Sequence, residues 1–157
     1  MANRDSDGHL VAGHDVGVAG ARGIVGGVVD AASAAGRAVS VAVVDGAGVL
    51  VAFERMDGAL RFSADLAAAK ARTAAEFGRA TAAMENVMRD RPVFAQSFVQ
   101  QGSWYLGRGG YPLLVAGRPV GGVGVSGDAA ELEDELAEAA AWLFSVEVDQ
   151  GGADGPA

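Results

Sequence analysis

The sequence predicts a single α+β domain in which helices pack on an antiparallel sheet. Two pairs of β-rich segments are each joined by a short glycine turn, and helical segments stand before, between and after these pairs. No β-α-β unit with a short crossover is present, which argues against a parallel sheet. Half of the 157 residues are apolar, which is enough for the core of one domain but not of two.

The first helix and the first hairpin follow from local spacing. Apolar residues recur at helical spacing over residues 19–35, and Gly36 is a suitable stop for this helix. The β-branched residues of 38–45 predict a strand, a glycine turn follows at 46–48, and 49–55 predicts the second strand. Glycines inside the helix disfavour it by up to about 1 kcal/mol each, so it needs tertiary support.

The next helix has a clear beginning and end. Ser63 is placed to cap its N-terminus with Asp65 in its first turn, and the helix runs to about Phe77 and ends near Gly78. The segments after it are a third helix at 81–91 that stops before Pro92, a short helical turn at 93–101, and two hairpin strands at 111–115 and 119–125.

The last helix carries both an apolar and an acidic face. It opens at Asp128, with Glu131 three residues later in a capping-box arrangement. Its apolar stripe predicts contact with the sheet, and we expect the acidic run to be a solvated face. The stripe consists of Leu132, Leu136, Ala139 and Leu143, and the acidic face of Glu131, Asp134, Glu135 and Glu138.

The two ends of the chain are expected to lie outside the domain. We assign residues 1–17 to a flexible N-terminal arm, 18–146 to the domain and 147–157 to a disordered tail. The polar start of the chain has Arg4 as its only basic residue and no continuous apolar run follows, so it does not resemble a signal peptide. We therefore expect a cytoplasmic protein.

The composition excludes several classes of function. Twelve basic and 20 acidic residues give a net charge of −8, which disfavours binding to nucleic acids and to anionic membrane surfaces. The absence of cysteine excludes disulfides, zinc–thiolate sites, iron–sulfur clusters and cysteine nucleophiles. No apolar run approaches the roughly 20 residues that a membrane span requires.

Lys70 is the most informative polar residue. At helical spacing it shares a stripe with Leu66 and Phe77, so its ammonium group either extends to solvent or is paired in a pocket. A paired Lys70 requires an acid nearby, for which Asp57 and Asp45 are the candidates. In that arrangement Lys70 would anchor a carboxylate or act as a base.

Two further patterns each allow two interpretations. Residues 122–127 match G-x-G-x-x-G between a strand and a helix, but no parallel strand follows, which favours a tight turn over a dinucleotide site. Asp57-Gly58 is a turn signal, whereas Arg55 and Asp57 together would present charges at the rim of the sheet.

The segment 91–118 is aromatic and locally cationic. Such a surface suits a flat apolar ligand that carries carboxylates, although a core with an oligomer interface would have the same composition. His9 and His14, in the N-terminal arm, are either mobile surface residues or ligands of haem iron. The aromatic residues are Phe94, Phe98, Trp104, Tyr105 and Tyr111, and the only charged residues are Arg91, Arg108 and Arg118.

An ordered set of motifs resembles the GlcG/HbpS-like family, the haem-degrading-domain family that includes the C-terminal domain of PduO-type proteins. The resemblance covers about residues 18–144, and no single motif carries it alone. The motifs are Val41–Asp45 with Gly48 and Leu50, Arg55–Ala59, Ser63, Lys70–Ala74, Thr81, Gly109–Leu113, Val120–Gly127 and Asp134.

The resemblance implies a profilin-like sandwich with a roughly five-stranded antiparallel sheet flanked by helices. The fifth strand would lie within residues 91–107. The resemblance also implies homo-oligomers, from dimers to octamers, and binding of haem or a corrinoid. The Gly- and His-rich arm and the pair Trp104 and Tyr105 depart from the family pattern. The lysine-poor composition, rich in alanine, glycine and valine, is typical of an actinobacterial source, in which small folds often serve secondary metabolism.

Three functions remain open at this point. The first is a haem- or tetrapyrrole-binding protein, with Phe98, Trp104, Tyr105 and Arg108 around the ligand and His14 or His9 on the iron. The second is a cofactor-independent isomerase, cyclase or lyase acting on a small organic acid or carbonyl compound, with Lys70, Asp57 and Arg55 as its catalytic residues. The third is an assembly subunit without a ligand.

Overall fold

The structure, a computed structural model, describes residues 10–11 and 15–151, and the side chains of residues 15–149. Its strands are β1 Leu10–Val11, β2 Asp15–Val16, β3 Ser40–Asp45, β4 Leu50–Arg55, β5 Gly110–Val115 and β6 Arg118–Ser126. Its helices are α1 Val18–Ala34, α2 Ser63–Phe77, α3 Thr81–Met88, α4 Pro92–Gln101 and α5 Ala130–Gly151. In the described part of the chain, no helix has the length and apolarity to cross a membrane.

The main sheet has four antiparallel strands in the order β4-β3-β6-β5, and β1 pairs with β2 in a separate two-stranded ladder. The predicted α+β class is therefore confirmed. The expectation of a fifth strand within residues 91–107 is wrong, because residues 92–101 form α4. Pro92 at the first helical turn, and Phe94 and Phe98 at i,i+4 spacing, favour a helix over a strand there.

Helices cover both faces of the sheet, as the alternation of side chains along β3 requires. Val41 and Val43 belong to the core beneath α1 and α5, whereas Ala42 and Val44 pack with the alanines of α2. The α2 face of the sheet is built from small residues, so this helix lies close to the strands. That closeness determines which side chains of α2 reach the end of the sheet.

The glycines of the G-x-G-x-x-G pattern allow the close approach of α2. A Cβ atom on Gly122 would lie 2.2 Å from the carbonyl oxygen of Ala71, and one on Gly124 would lie 2.1 Å from that of Ala67. Both glycines stand inside β6, and Gly127 follows the strand with a φ of +125°. Helix packing thus explains these glycines without a dinucleotide.

The observed helix ends contradict one predicted N-cap and confirm two predicted glycine stops. Gly36 closes α1 with a φ of +67°, and Gly78 closes α2 with a φ of +61°. Ser63 is not an N-cap, because it is already the first residue of α2. Its hydroxyl bonds instead to the Leu60 carbonyl at 2.5 Å and to the Ser40 hydroxyl at 2.8 Å.

Ordered structure extends beyond the limits of 18–146 that the sequence suggested. Val16 of β2 is buried in the core beneath α1 and α5, and α5 continues to Gly151. Residues 1–9, 12–14 and 152–157 lie outside the described residues, and His9 and His14 are among them.

Candidate functional site

Lys70 lies on the α2 face that packs on the sheet, and only 3% of its surface is exposed. Its Nζ donates hydrogen bonds to Glu133 Oε2 at 2.5 Å and to the Val125 carbonyl oxygen at 3.0 Å. Of the two sequence alternatives, the paired lysine is the correct one. The expected partners, Asp57 and Asp45, are wrong, because the acid comes from α5.

Glu133 corrects the interpretation of the acidic helix face. Its side chain is buried, and its Oε1 accepts hydrogen bonds from the backbone N–H groups of Gly127 at 2.7 Å and Asp128 at 3.2 Å. Because α5 begins at Ala130, Glu133 rather than Glu131 turns back onto the preceding chain. Helical spacing to the buried Leu136, Ala137 and Ala140 was the signal that would have revealed its burial.

Two cavities, of about 250 and 360 Å³, open beside this ion pair. Lys70, Tyr105, Ala130 and Glu133 line both of them. The first cavity is bordered further by Leu60, Phe62, Leu66, Ser126, Gly127 and Asp128. The second is bordered further by Glu85, Leu106, Gly107 and Arg108. The arrangement provides a charged floor, an aromatic wall and an apolar lip.

The structure divides the predicted cofactor-binding residues into two groups. Tyr105 and Arg108 line the cavities, and the Tyr105 ring centroid lies 5.5 Å from Lys70 Nζ, within reach of a cation–π interaction. Phe98 and Trp104 belong instead to an aromatic cluster on Phe77, in which their ring centroids are 4.7 Å apart. Trp104 is held there by a 2.6 Å hydrogen bond to Glu76.

Arg55 and Asp57 are exposed residues that line neither cavity. Arg55 donates a hydrogen bond of 3.1 Å to the Ala59 carbonyl oxygen, so it braces the loop that follows β4. Asp45 accepts hydrogen bonds from the backbone of Ala47 and Val49 and thereby shapes the β3–β4 turn. The structure does not bring these residues to Lys70.

The segment before β5 is fixed at the same end of the sheet. The Gly109 N–H donates to Asp134 Oδ1 at 3.0 Å, and the Tyr111 hydroxyl donates to Asp134 Oδ2 at 3.5 Å. Asp134 is therefore half-buried and bonded, which corrects its assignment to a solvated face. Burial first, then the negative charges of Asp134 and Glu138, raise the pKa of Tyr111 to about 12.

Stability is expected to fall as the pH rises from 10 to about 12, and Tyr111→Phe should lessen this fall. The unfolded tyrosine ionises near its ordinary pKa of 10.0, whereas the folded one keeps its proton until about 12. The raised pKa of Tyr111 thus contributes stability that is fully present below pH 10 and is lost as the pH rises through the pKa of the folded state, about 12. Urea unfolding of both proteins across this range measures the difference. Parallel declines would show that Tyr111 is not the responsible group.

Metal ligands are scarce in this region. Within the described residues, no group of three histidine, cysteine or carboxylate side chains is placed to hold a metal ion. Asp15, which follows His14 in the sequence, accepts a hydrogen bond from the Gly46 N–H at the β3–β4 turn. Gly121 on β6 lies at the same end of the sheet as this turn. Val125, which contacts Lys70, is four residues further along β6, or about 13 Å away at about 3.3 Å per residue.

The fold and the cavities define an α+β protein with two adjoining cavities at one end of its sheet. The chain belongs to the haem degrading protein HbpS-like family, because the model of that family matches residues 16–141. The resemblance predicted from sequence is thereby confirmed. A comparison with curated proteins finds no match.

Solved structures agree with this assignment. A double mutant of HbpS from Streptomyces reticuli is 32% identical, covers 82% of this chain and 86% of its own, and has a TM-score of 0.76. The Klebsiella pneumoniae protein ORFY is 28% identical over 83% of this chain and 90% of its own, with a TM-score of 0.76. PduOC, solved in complex with haem, is 28% identical over 82% and 94%, with a TM-score of 0.74.

Proposed function

We propose that this protein binds haem or a related tetrapyrrole at the cavities around Lys70 and Tyr105. The supporting observation is the amphipathic character of the site. Leu60 and Phe62 are 53% and 59% exposed at the lip of the first cavity, while Arg108 is an exposed cation at the second. Exposed apolar side chains beside a cavity mark a ligand-binding surface. Membership in the HbpS-like family and the haem complex of PduOC support the same ligand class.

The residues present fit the chemistry of such a ligand. Leu60, Phe62 and Leu66 would contact the apolar ring, and the guanidinium group of Arg108 would pair with a propionate. Lys70 and Glu133 neutralise each other, so the floor of the site carries no net charge against an apolar ring. The bound group would supply redox or ligand-binding chemistry at its iron.

Histidine ligation of the iron by His14 or His9 remains part of the proposal. Asp15 follows His14 directly and lies at the end of the sheet opposite to the cavities. We also propose a homo-oligomer, as the family resemblance implies. Exposed apolar residues on α5, Trp142 at 64% and Leu143 at 51%, are available for such association.

A haemin titration followed in the Soret region tests this function. We expect a sharp, saturable Soret band in the wild type. Arg108→Leu should bind haemin roughly tenfold more weakly, because one charge-assisted contact is lost. In His14→Ala or His9→Ala, the sharp band should be lost. Arg118→Leu, an exposed arginine at the start of β6, is the matched control. A broad, non-saturable change in the wild type would exclude specific tetrapyrrole binding.

A second candidate is a cofactor-independent enzyme acting on a small organic acid or carbonyl compound. The observation in its favour is a buried ammonium group that lines both cavities. Lys70 donates its hydrogen bonds to Glu133 and Val125, which suits an anchor or a proton donor better than a base. A panel of small acids monitored for turnover tests this candidate, and a double variant Lys70→Met with Glu133→Gln that keeps the fold but loses the turnover would support it.

A further inference from the structure

Four residues line both cavities, but only one of them is free to change the boundary between them. Lys70 and Glu133 are fixed by their mutual ion pair and by bonds to the backbone of Val125, Gly127 and Asp128. Ala130, at the start of α5, has only a short side chain. The remaining residue is Tyr105, whose half-buried ring lies over Lys70.

The backbone of Tyr105 is anchored while its ring is held only by packing. Its N–H donates to the Thr73 hydroxyl at 2.8 Å, which fixes the segment to α2. Across the described residues, no hydrogen bond holds its phenol group. The ring rests against Gly107, where a Cβ atom would lie 2.1 Å from its Cε1 atom. Rotation of the side chain therefore breaks a cation–π contact and van der Waals contacts, but no hydrogen bond.

The two cavities are small for the proposed ligand when they are taken separately. Ligand pockets commonly measure about 300–1,000 Å³, and these measure about 250 and 360 Å³. A tetrapyrrole with two propionates requires a continuous space larger than either. A small carboxylate, in contrast, fits within one of them.

We infer that Tyr105 divides a single binding site into two and thereby determines the size of the ligand. With its ring over Lys70, the half lined by Arg108 accepts a small planar acid, and a tetrapyrrole occupies the site only after the ring has turned away. This inference rests on the proposed function and concerns the same site. Tyr105 acts as a specificity-determining residue rather than as a ligand of iron.

Paired titrations with haemin and with benzoate, a small planar carboxylate, test this role. Tyr105→Ala should bind haemin about threefold to fivefold more tightly, because the cation–π contact no longer has to be broken, and should bind benzoate more weakly, because one wall is lost. Tyr105→Trp should shift both affinities in the opposite direction. Tyr105→Phe keeps the ring and removes only the hydroxyl, so the ratio of its haemin and benzoate affinities should equal that of the wild type.

A fluorescence readout makes the test independent of the haem spectrum. The chain contains two tryptophans, so a Trp142→Phe background leaves Trp104, the neighbour of Tyr105, as the only one. Haemin bound at the joined cavities should quench Trp104 strongly in the wild-type, Tyr105→Ala and Tyr105→Phe forms of this background that bind it.

The outcomes separate this inference from the proposed function. If the wild type binds haemin and Tyr105→Ala leaves both affinities unchanged, the partition role is wrong and the function stands. If Tyr105→Phe alone abolishes the Soret band, the phenol ligates the iron and the inference is overturned. If none of the variants binds haemin saturably, both proposals fail.

Discussion

Lys70→Met is expected to destabilise the protein by about 3–5 kcal/mol, the largest effect of any side-chain substitution at the site. The methionine has a similar length but no charge, so the Glu133 carboxylate would remain buried without its cation. Uncompensated burial of a carboxylate is costly because its hydration is lost. Urea unfolding monitored by circular dichroism measures the change in the free energy of unfolding.

A double-mutant cycle shows whether the ion pair is the cause. Glu133→Gln keeps a carbonyl oxygen for the N–H groups of Gly127 and Asp128 while it removes the charge. Lys70→Met combined with Glu133→Gln should therefore recover much of the stability that Lys70→Met loses. Arg89→Met, in an exposed pair with Glu85 at 4.0 Å, serves as the control and should cost less than about 1 kcal/mol. A loss in Lys70→Met no larger than in this control would contradict the buried pair.

Gly124→Ala is expected to cost about 3 kcal/mol or more and to lower the soluble yield. The added Cβ would lie 2.1 Å from the Ala67 carbonyl oxygen and 2.6 Å from the Ala71 backbone nitrogen. These are main-chain atoms of α2, so relief requires the whole helix to move away from the sheet. Such a shift would also displace Lys70 from Glu133 and Val125, so stability and ligand binding should be lost together.

Gly27→Ala is the matched control for this prediction. Gly27 stands in α1, where a Cβ atom meets nothing within 4 Å. Alanine there should stabilise the helix by about 0.5–1 kcal/mol through its higher helix propensity. Soluble yield and thermal unfolding of the two variants provide the comparison. A Gly124→Ala protein as stable as the wild type would show that α2 packs less closely than the structure indicates.

Elements with strong local signals could be predicted from the sequence. The second helix ends at Phe77 as expected and begins at Ser63, the residue predicted as its cap, and Gly36 and Gly78 stop their helices as expected. Each of these features depends on neighbouring residues alone, through helical periodicity and the ability of glycine to adopt a positive φ. The prediction of a fifth strand was wrong because it was taken from the family pattern, whereas the spacing of residues 92–101 is helical.

The candidate site could be predicted only in part. Lys70, Tyr105 and Arg108 were identified from their residue types and surroundings, and the structure brings them together. Phe98 and Trp104 were assigned to the same surface, but they pack on Phe77 because Trp104 finds its hydrogen-bond partner in Glu76. Composition of a segment indicates which groups are available and not the direction in which each side chain points.

The sequence by itself determined the α+β class, the order of the helices and hairpins from α1 to α5, and the presence of a lysine on an apolar stripe of α2. Only the tertiary structure decided that Glu133, 63 residues away, is the acid that meets Lys70. The physical reason is that periodicity and capping act within a few residues, whereas an ion pair between two helices depends on how each packs on the sheet. Here the glycines of β6 set that packing, because they allow α2 to approach until Lys70 reaches the end of the strand.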